Sequence, residues 1–430
     1  MSHYAQLDAL WTSVDLEDLA RRYGAPLYVY HADIIRKQYE RLTSAFSVPQ
    51  LDLHYACKAL TNVEVMRFVR SLGAGLDCVS LNEVRIGLKA GFRESDILYT
   101  PNGVSLAEME EAMALGVGIN VDNISILEQM AQKHPEQPVC VRINPHIMAG
   151  GNSKISVGHI DSKFGISIYQ LPHVLRIVET TGLKVVGVHM HTGSDILEVA
   201  PFLAAADILL DVAHKFADLE YVDFGSGFKV PYKPGGIATD IEEMGQLMSE
   251  RFRAFCERYG RDLKLVFEPG KFLVSNAGKF LVEANVVKTT PSTVFVGVNS
   301  GLNHLLRPMF YEAHHEIENV SNPKGKSRIY TVVGYICETD TFGTNRQITE
   351  VREGDILAFH NAGAYCMTMA SNYNSRERPA EVLLVGDEDY LVRRRETLED
   401  VLRTQVSTGL FDGEDDERVG FATTENAMAR

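Results

Sequence analysis

The chain is short of positive charge. Its 42 Lys and Arg face 57 Asp and Glu, a net charge of −15 over 430 residues. Phosphate backbones are bound by clustered basic residues, so this balance excludes nucleic acid as a partner. No apolar run reaches about 18 residues, and no basic-then-apolar leader follows Met1, which predicts neither a membrane span nor a secretory signal. The six cysteines, at 57, 78, 140, 256, 337 and 366, show no CxxC spacing. Free thiols in a reducing cytoplasm are the expectation. No internal repeat is found beyond the alternation described next.

What is present is an ordinary globular composition, 45% hydrophobic and 23% charged. The length allows two domains, one of them a large barrel. Between about residues 50 and 270, eight short apolar runs recur, at 51–57, 75–80, 97–100, 117–122, 139–144, 184–191, 220–225 and 263–268. Helical patterns separate them, such as Asn62–Leu72, Leu81–Ala90, Leu106–Leu115 and Pro201–Phe216. Continuous apolar strands alternating with helices indicate a parallel sheet, and eight such units suggest a (β/α)8 barrel. An open doubly wound sheet is the competing arrangement. After Glu268 the texture changes to strand-like runs with Gly, Pro and Asn between them, at 282–288, 293–298, 328–333, 356–359 and 381–385. The predicted organisation is an N-terminal segment, 1–25, with an amphipathic helix at Asp15–Tyr23 that packs on the β domain. A barrel follows over 26–270, then a β domain over 271–410. The acidic, then small and polar, tail 411–430 is expected to be disordered.

Chemistry in such barrels collects at the C-terminal ends of the strands. The first run closes on Lys58, a poor place for a strongly hydrated ammonium. Such a lysine either snorkels to water or has a lowered pKa and a usable amine, as Schiff-base lysines do. The second run carries Asp77 and Ser80, with Glu83 in the next turn, and the fifth carries Arg142. The sixth ends His189-Met190-His191-Thr192-Gly193-Ser194, the seventh Gly225-Ser226-Gly227, and the eighth Glu268-Pro269-Gly270. Each suits one part of a pyridoxal phosphate site. Glycines 225 and 227 let backbone N–H groups approach a phosphate, and Ser194 adds a hydroxyl. Glu268 suits a protonated pyridine nitrogen, and His191 a ring face. Each also has a plain alternative: a turn for Gly-Ser-Gly, a cap or ion pair for Glu268, a hydrogen-bonded core histidine for His191. The His189/His191 pair raises a metal reading, set aside because no third or fourth ligand lies at suitable spacing, so no metal is expected.

Taken together these residues resemble the fold-type III pyridoxal phosphate decarboxylases, the alanine racemase-like barrel group, and among them most the diaminopimelate decarboxylases. The matching motifs are Tyr55-Ala56-Cys57-Lys58-Ala59, 187–194, Asp223-Phe224-Gly225-Ser226-Gly227, Glu268-Pro269-Gly270, Arg307-Pro308-Met309-Phe310-Tyr311, Cys337-Glu338-Thr339-Asp340 and Ala364-Tyr365. The resemblance implies an alanine racemase-like barrel followed by a β-sandwich or β-barrel domain. It implies that Lys58 holds the cofactor covalently, His191 stacks on its ring and Glu268 meets the pyridine nitrogen. Asp77, Arg142, Ser194, Gly225, Ser226, Gly227, Pro269, Gly270, Lys271 and Tyr365 would complete the cofactor site. Lys271, Arg307, Tyr311, Glu338 and Tyr365 would bind substrate, and Cys337 would be the proton donor. The family's site lies between two subunits, which implies a head-to-tail homodimer in which Cys337 and Glu338 reach the partner's barrel.

Two departures touch substrate binding. Lys271 stands where the family usually has arginine, which keeps the charge and loses the bidentate fork. Asp340 comes one residue earlier than usual. For Cys337 the alternative is a buried structural thiol. The expected reaction is decarboxylation of meso-2,6-diaminopimelate to L-lysine, since Arg307 suits a distal carboxylate and Glu338 an ammonium. Decarboxylation of carboxynorspermidine, ornithine, lysine or a specialised amino acid is the alternative. A racemase or a cofactor-carrier protein fits the length and the Cys337 segment less well.

Overall fold

The computed structural model describes residues 3–147, 161–408 and 422–423. Most of the 411–430 tail, expected to be disordered, lies outside them. All eight apolar runs between 50 and 270 form strands. They are β2 (Leu51–Ala56), β3 (Gly75–Cys78), β4 (Ile97–Tyr99), β5 (Gly118–Val121), β6 (Val139–Asn144), β8 (Val185–His189), β9 (Tyr221–Asp223) and β10 (Lys264–Phe267). They are parallel, in the order β5-β4-β3-β2-β10-β9-β8-β6, and a β5–β6 pairing closes the ring. The doubly wound alternative is thereby excluded, because an open sheet leaves two edges unpaired. A two-residue strand, β7 (Ile166–Ser167), adds to β6 outside the ring. The helices between strands start where the sequence provides oxygen caps: Asn62, Ser80, Ser105, Asn123 and Asp240 each accept a bond from an N–H of the first turn.

The second domain is a mixed sheet. It contains β11 (Gly278–Thr289), β12 (Val294–Val298), β13 (Ile317–Asn319), β14 (Ser327–Val333), β15 (Thr341–Thr349), β16 (Ile356–Phe359), β17 (Ala380–Val385) and β18 (Glu388–Arg393). One more strand comes from the N-terminus. Leu27–His31, β1, was expected inside the barrel segment that starts at residue 26. It instead lies between β11 and β17, antiparallel to the first and parallel to the second. The five-residue run Leu-Tyr-Val-Tyr-His is buried on both faces, which only a central strand provides. The barrel proper begins with the helix Ala32–Ala45. The sequence pattern also missed the helix His3–Trp11. The helix Leu16–Tyr23 packs on the second sheet, with Arg21 bonded to the Gly354 carbonyl and Arg22 to Asp389. No helix among the described residues is long and apolar enough to cross a membrane.

Candidate active site

Lys58 sits in a single 3-10 turn, Cys57–Ala59, directly after β2. The turn is fixed from two sides: Ala56 N–H donates to the Pro269 carbonyl at 3.2 Å and Leu60 N–H to the Cys57 carbonyl at 3.0 Å. The side chain therefore projects into the mouth of the barrel, 41% exposed, with Nζ 3.2 Å from Asp77 Oδ2 of the neighbouring strand. The lowered pKa expected of a lysine in apolar surroundings is not found. Burial disfavours the ammonium, but Asp77, Tyr365 and Glu268 outweigh it and hold the amine above the ordinary lysine range. Lys58 is thus charged before any carbonyl arrives, and Asp77 faces the proton it must release.

Glu268 follows β10. Its N–H donates to the Gly225 carbonyl at 2.7 Å, and Oε2 lies 3.0 Å from His189 Nε2. Burial alone would raise its pKa; His189 and the Lys58 ammonium overcome that and keep it ionised, below the usual carboxylate range. Oε1 is buried and has no hydrogen-bond partner among the described residues. An ionised, half-satisfied carboxylate is costly unless a ligand donor completes it. Asp223 stands beside it, pushed well up by burial and then by Glu268. His189, Asp223 and Glu268 bring donor atoms within 4.8 Å of one another. The sequence reading found no third ligand for the histidine pair; the fold supplies two carboxylates from other strands, although to His189 and not His191.

A small cavity of about 40 Å³ lies beside Lys58, walled in part by Ser194, Ser226, Gly227, Gly270, Lys271 and Tyr365. Gly225 and Gly227 have φ of 61° and 115°. A Cβ at Gly225 would lie 2.6 Å from the Met190 carbonyl oxygen, and one at Gly227 only 2.0 Å from that of Gly193. Glycine is required at both. Tyr365, at φ 56°, is anchored by its N–H on the Ala59 carbonyl at 2.8 Å. His191 Nδ1 accepts from the Ser226 N–H at 3.3 Å. Burial, with Arg142 and Lys58 nearby, pushes His191 down to about 3, so its imidazole is neutral and able to stack.

The main cavity, about 940 Å³, opens above these groups. Arg142 lines it from β6, stacked 5.0 Å from the Phe164 ring. Arg307 and Tyr311 reach it from the short helix Arg307–Tyr311 of the second domain. Arg307 is buried, with Nη1 2.8 Å from Tyr232 OH and 3.3 Å from His315 Nε2. Burial pushes His315 down to about 3, so that imidazole is neutral. Arg307 makes no ion pair among the described residues. Lys271, by contrast, is paired, its Nζ 2.5 Å from Asp195 Oδ1.

Other predicted residues lie elsewhere. Asp77 and Gly225 support the site from just behind its walls, Asp77 through Lys58 and Gly225 through Glu268. Pro269 contributes its carbonyl to the Lys58 turn. Ser80 and Glu83 cap the helix Leu81–Lys89. Cys337 and Glu338 do not line either cavity. Cys337 is exposed, not the buried thiol of the alternative reading, and accepts from Asn374 Nδ2 at 3.3 Å. Glu338 accepts from Tyr373 OH at 2.8 Å. Asp340 is buried and takes the N–H groups of Leu302 and Ile336, so the shifted aspartate ties down this loop. Sequence reasoning missed Asp195, Tyr232 and His315. Asp195 carried a signal, a charge directly after the 189–194 motif; Tyr232 and His315 lie in irregular segments with none.

Pyridoxal phosphate fits this arrangement. An amine stands ready for its aldehyde, an unpartnered buried carboxylate oxygen for its ring nitrogen, a neutral imidazole for its ring face and a glycine-lined hollow for its phosphate. The comparisons agree. The model of the pyridoxal-dependent decarboxylase, pyridoxal binding domain, matches residues 32–275. The diaminopimelate decarboxylase of Methanothermobacter thermautotrophicus is 40% identical over 402 residues, 91% of this chain and 94% of that protein. That of Escherichia coli K12 is 34% identical, over 92% and 97%. The crystal structure of diaminopimelate decarboxylase from Helicobacter pylori complexed with L-lysine superposes with a TM-score of 0.83 at 30% identity, over 90% and 98%. With its barrel, its lysine and its glycine cradle accounted for, the chain belongs to the pyridoxal-dependent decarboxylase family and is a pyridoxal phosphate-dependent carboxy-lyase.

Proposed function

We propose that the chain decarboxylates meso-2,6-diaminopimelate to L-lysine and carbon dioxide. Its relatives' names support the substrate, and one observation in this chain carries it. Arg307 is a buried guanidinium that makes no ion pair among the described residues, facing the cavity that holds Lys58. An unpaired buried charge is costly, and a planar fork suits a carboxylate. A substrate with a carboxylate remote from the reacting carbon satisfies it; ornithine and lysine bring none.

Bound pyridoxal phosphate supplies the electron sink that takes the bonding pair of the departing carboxylate. Lys58 would hold it through its amine, and Asp77, 3.2 Å from Nζ, would take up or return the lysine's proton. Glu268, ionised and oriented by His189, would pair with a protonated pyridine nitrogen. Neutral His191 would cover the ring face, and Ser194, Gly227, Gly270 and Lys271 would surround the phosphate. Tyr365 and Tyr311 narrow the substrate space.

The proton for the reacting carbon comes from Cys337 of the partner subunit in a head-to-tail homodimer, with Glu338 of the partner subunit near the substrate. Support comes from surface chemistry. The Cys337–Glu338 segment is outside its own cavity, and beside it Met309 and Phe310 are exposed, with Thr341 N–H on Met309 Sδ at 3.5 Å. Exposed apolar groups flanking an exposed thiol suit an interface. The test is direct: holoenzyme supplied with meso-diaminopimelate should release carbon dioxide and L-lysine, identified by mass. Turnover of ornithine or lysine at a similar rate would transfer the assignment to a diamine-forming decarboxylase.

A further inference from the structure

The cavity wall is rich in cations and poor in anions. Among the described residues it presents Lys58, Arg142, Lys163, Lys229, Lys233, Lys271 and Arg307 but only two carboxylates, Asp195 and Glu268. Glu268 is held by His189 on one oxygen and matched to the cofactor nitrogen on the other. Asp195 is therefore the one carboxylate of the barrel left to meet a substrate cation. It stands at φ 60°, a backbone region aspartate tolerates better than most residues, and its side chain is 27% exposed at the cavity. Lys271 fixes it through Oδ1, and Oδ2 makes no hydrogen bond among the described residues. A carboxylate pinned on one oxygen is pre-organised to offer the other, which limits the entropy lost on binding.

We propose that Asp195 is a specificity-determining residue that takes the substrate's distal ammonium on Oδ2 while Lys271 holds Oδ1. The unusual lysine at 271 is then the anchor of an ammonium site, with its charge already matched within the chain. This assignment rests on the proposed decarboxylation of a diamino acid and gives the distal amine a partner from the same subunit as Lys58.

The experiment compares meso-diaminopimelate with 2-aminopimelate, which lacks only the distal amine, on purified holoenzyme. Asp195→Asn should lower kcat/KM for diaminopimelate roughly tenfold to a hundredfold, the cost of losing a charged hydrogen bond, mainly through KM. Its kcat/KM for 2-aminopimelate should change by less than about threefold. Asp195→Glu, which keeps the carboxylate, should recover most of the preference for the diamino substrate. An equal fall on both substrates, or a glutamate variant as indiscriminate as the asparagine one, overturns the proposal and leaves Asp195 only as the clamp on Lys271. Failure of the proposed function would show separately, in wild-type enzyme that ignores diaminopimelate. The same pair of variants is then read on whichever diamino acid is consumed and its desamino analogue, with the same two outcomes.

Discussion

Replacing Arg307 by lysine tests the distal-carboxylate reading at its narrowest point. The side chain is buried, and Nη1 is already committed to Tyr232 OH at 2.8 Å and His315 Nε2 at 3.3 Å. The rest of the fork, which also meets the Cys366 thiol, is what a substrate carboxylate can use. Lysine keeps the charge but offers one compact head group, so it must choose between Tyr232 and the substrate. Losing one charge-assisted hydrogen bond costs about 1.5–3 kcal/mol, or roughly tenfold to 150-fold in kcat/KM. Arg307→Met loses the fork entirely and leaves the carboxylate unpaired, about 2–5 kcal/mol and roughly thirtyfold to several-thousandfold. The assay is initial-rate carbon dioxide release from diaminopimelate, with cofactor absorbance recorded on the same samples. Cofactor occupancy should be unchanged, since Arg307 does not line the small phosphate-sized cavity. An Arg307→Lys enzyme with wild-type kcat/KM, or one that loses cofactor in step with activity, refutes the argument.

Lys58→Ala should abolish the borohydride-reducible adduct between protein and cofactor and the visible absorbance that goes with it; an adduct that survives moves the anchor to another residue. Mixing inactive Lys58→Ala and Cys337→Ala chains should restore about a quarter of wild-type activity, since random pairing makes half the dimers mixed and each carries one intact site. Mixed dimers that form and stay inactive would dismiss the shared site. Burial holds His304 at about 4, below its unfolded value of about 6.5. The unfolded chain therefore binds the extra proton first, so the stability this histidine contributes is complete above about pH 6.5 and falls as pH drops toward 4. Relative to His304→Gln, wild type should lose urea resistance across that window; a pH-independent difference between the two would contradict the assignment.

The eight-strand alternation was legible because a parallel barrel strand is buried on both faces and reads as a continuous apolar run. The strand-end residues were legible for a related reason: Lys58 and Glu268 are polar interruptions at the ends of such runs, where a fold without a site would have no use for them. Strand β1 has the same apolar texture as the barrel strands, so sequence could not assign it; pairing with β11 and β17, more than 200 residues away, decided its domain. The charge state of Lys58 was misjudged because the sequence shows its apolar neighbours along the chain and not Asp77 across the sheet. Arg307, Lys271 and Cys337 were found from motifs, but their states were set by tertiary neighbours: Tyr232 and His315 for the first, Asp195 for the second, an exposed loop outside the cavity for the third. The sequence alone determined the barrel's element order and the chemical types gathered at its mouth, because burial pattern and residue chemistry are local properties. The tertiary structure alone decided which charges cancel and which face the ligand, because Coulomb interactions and hydrogen bonds depend on distance in space and not along the chain.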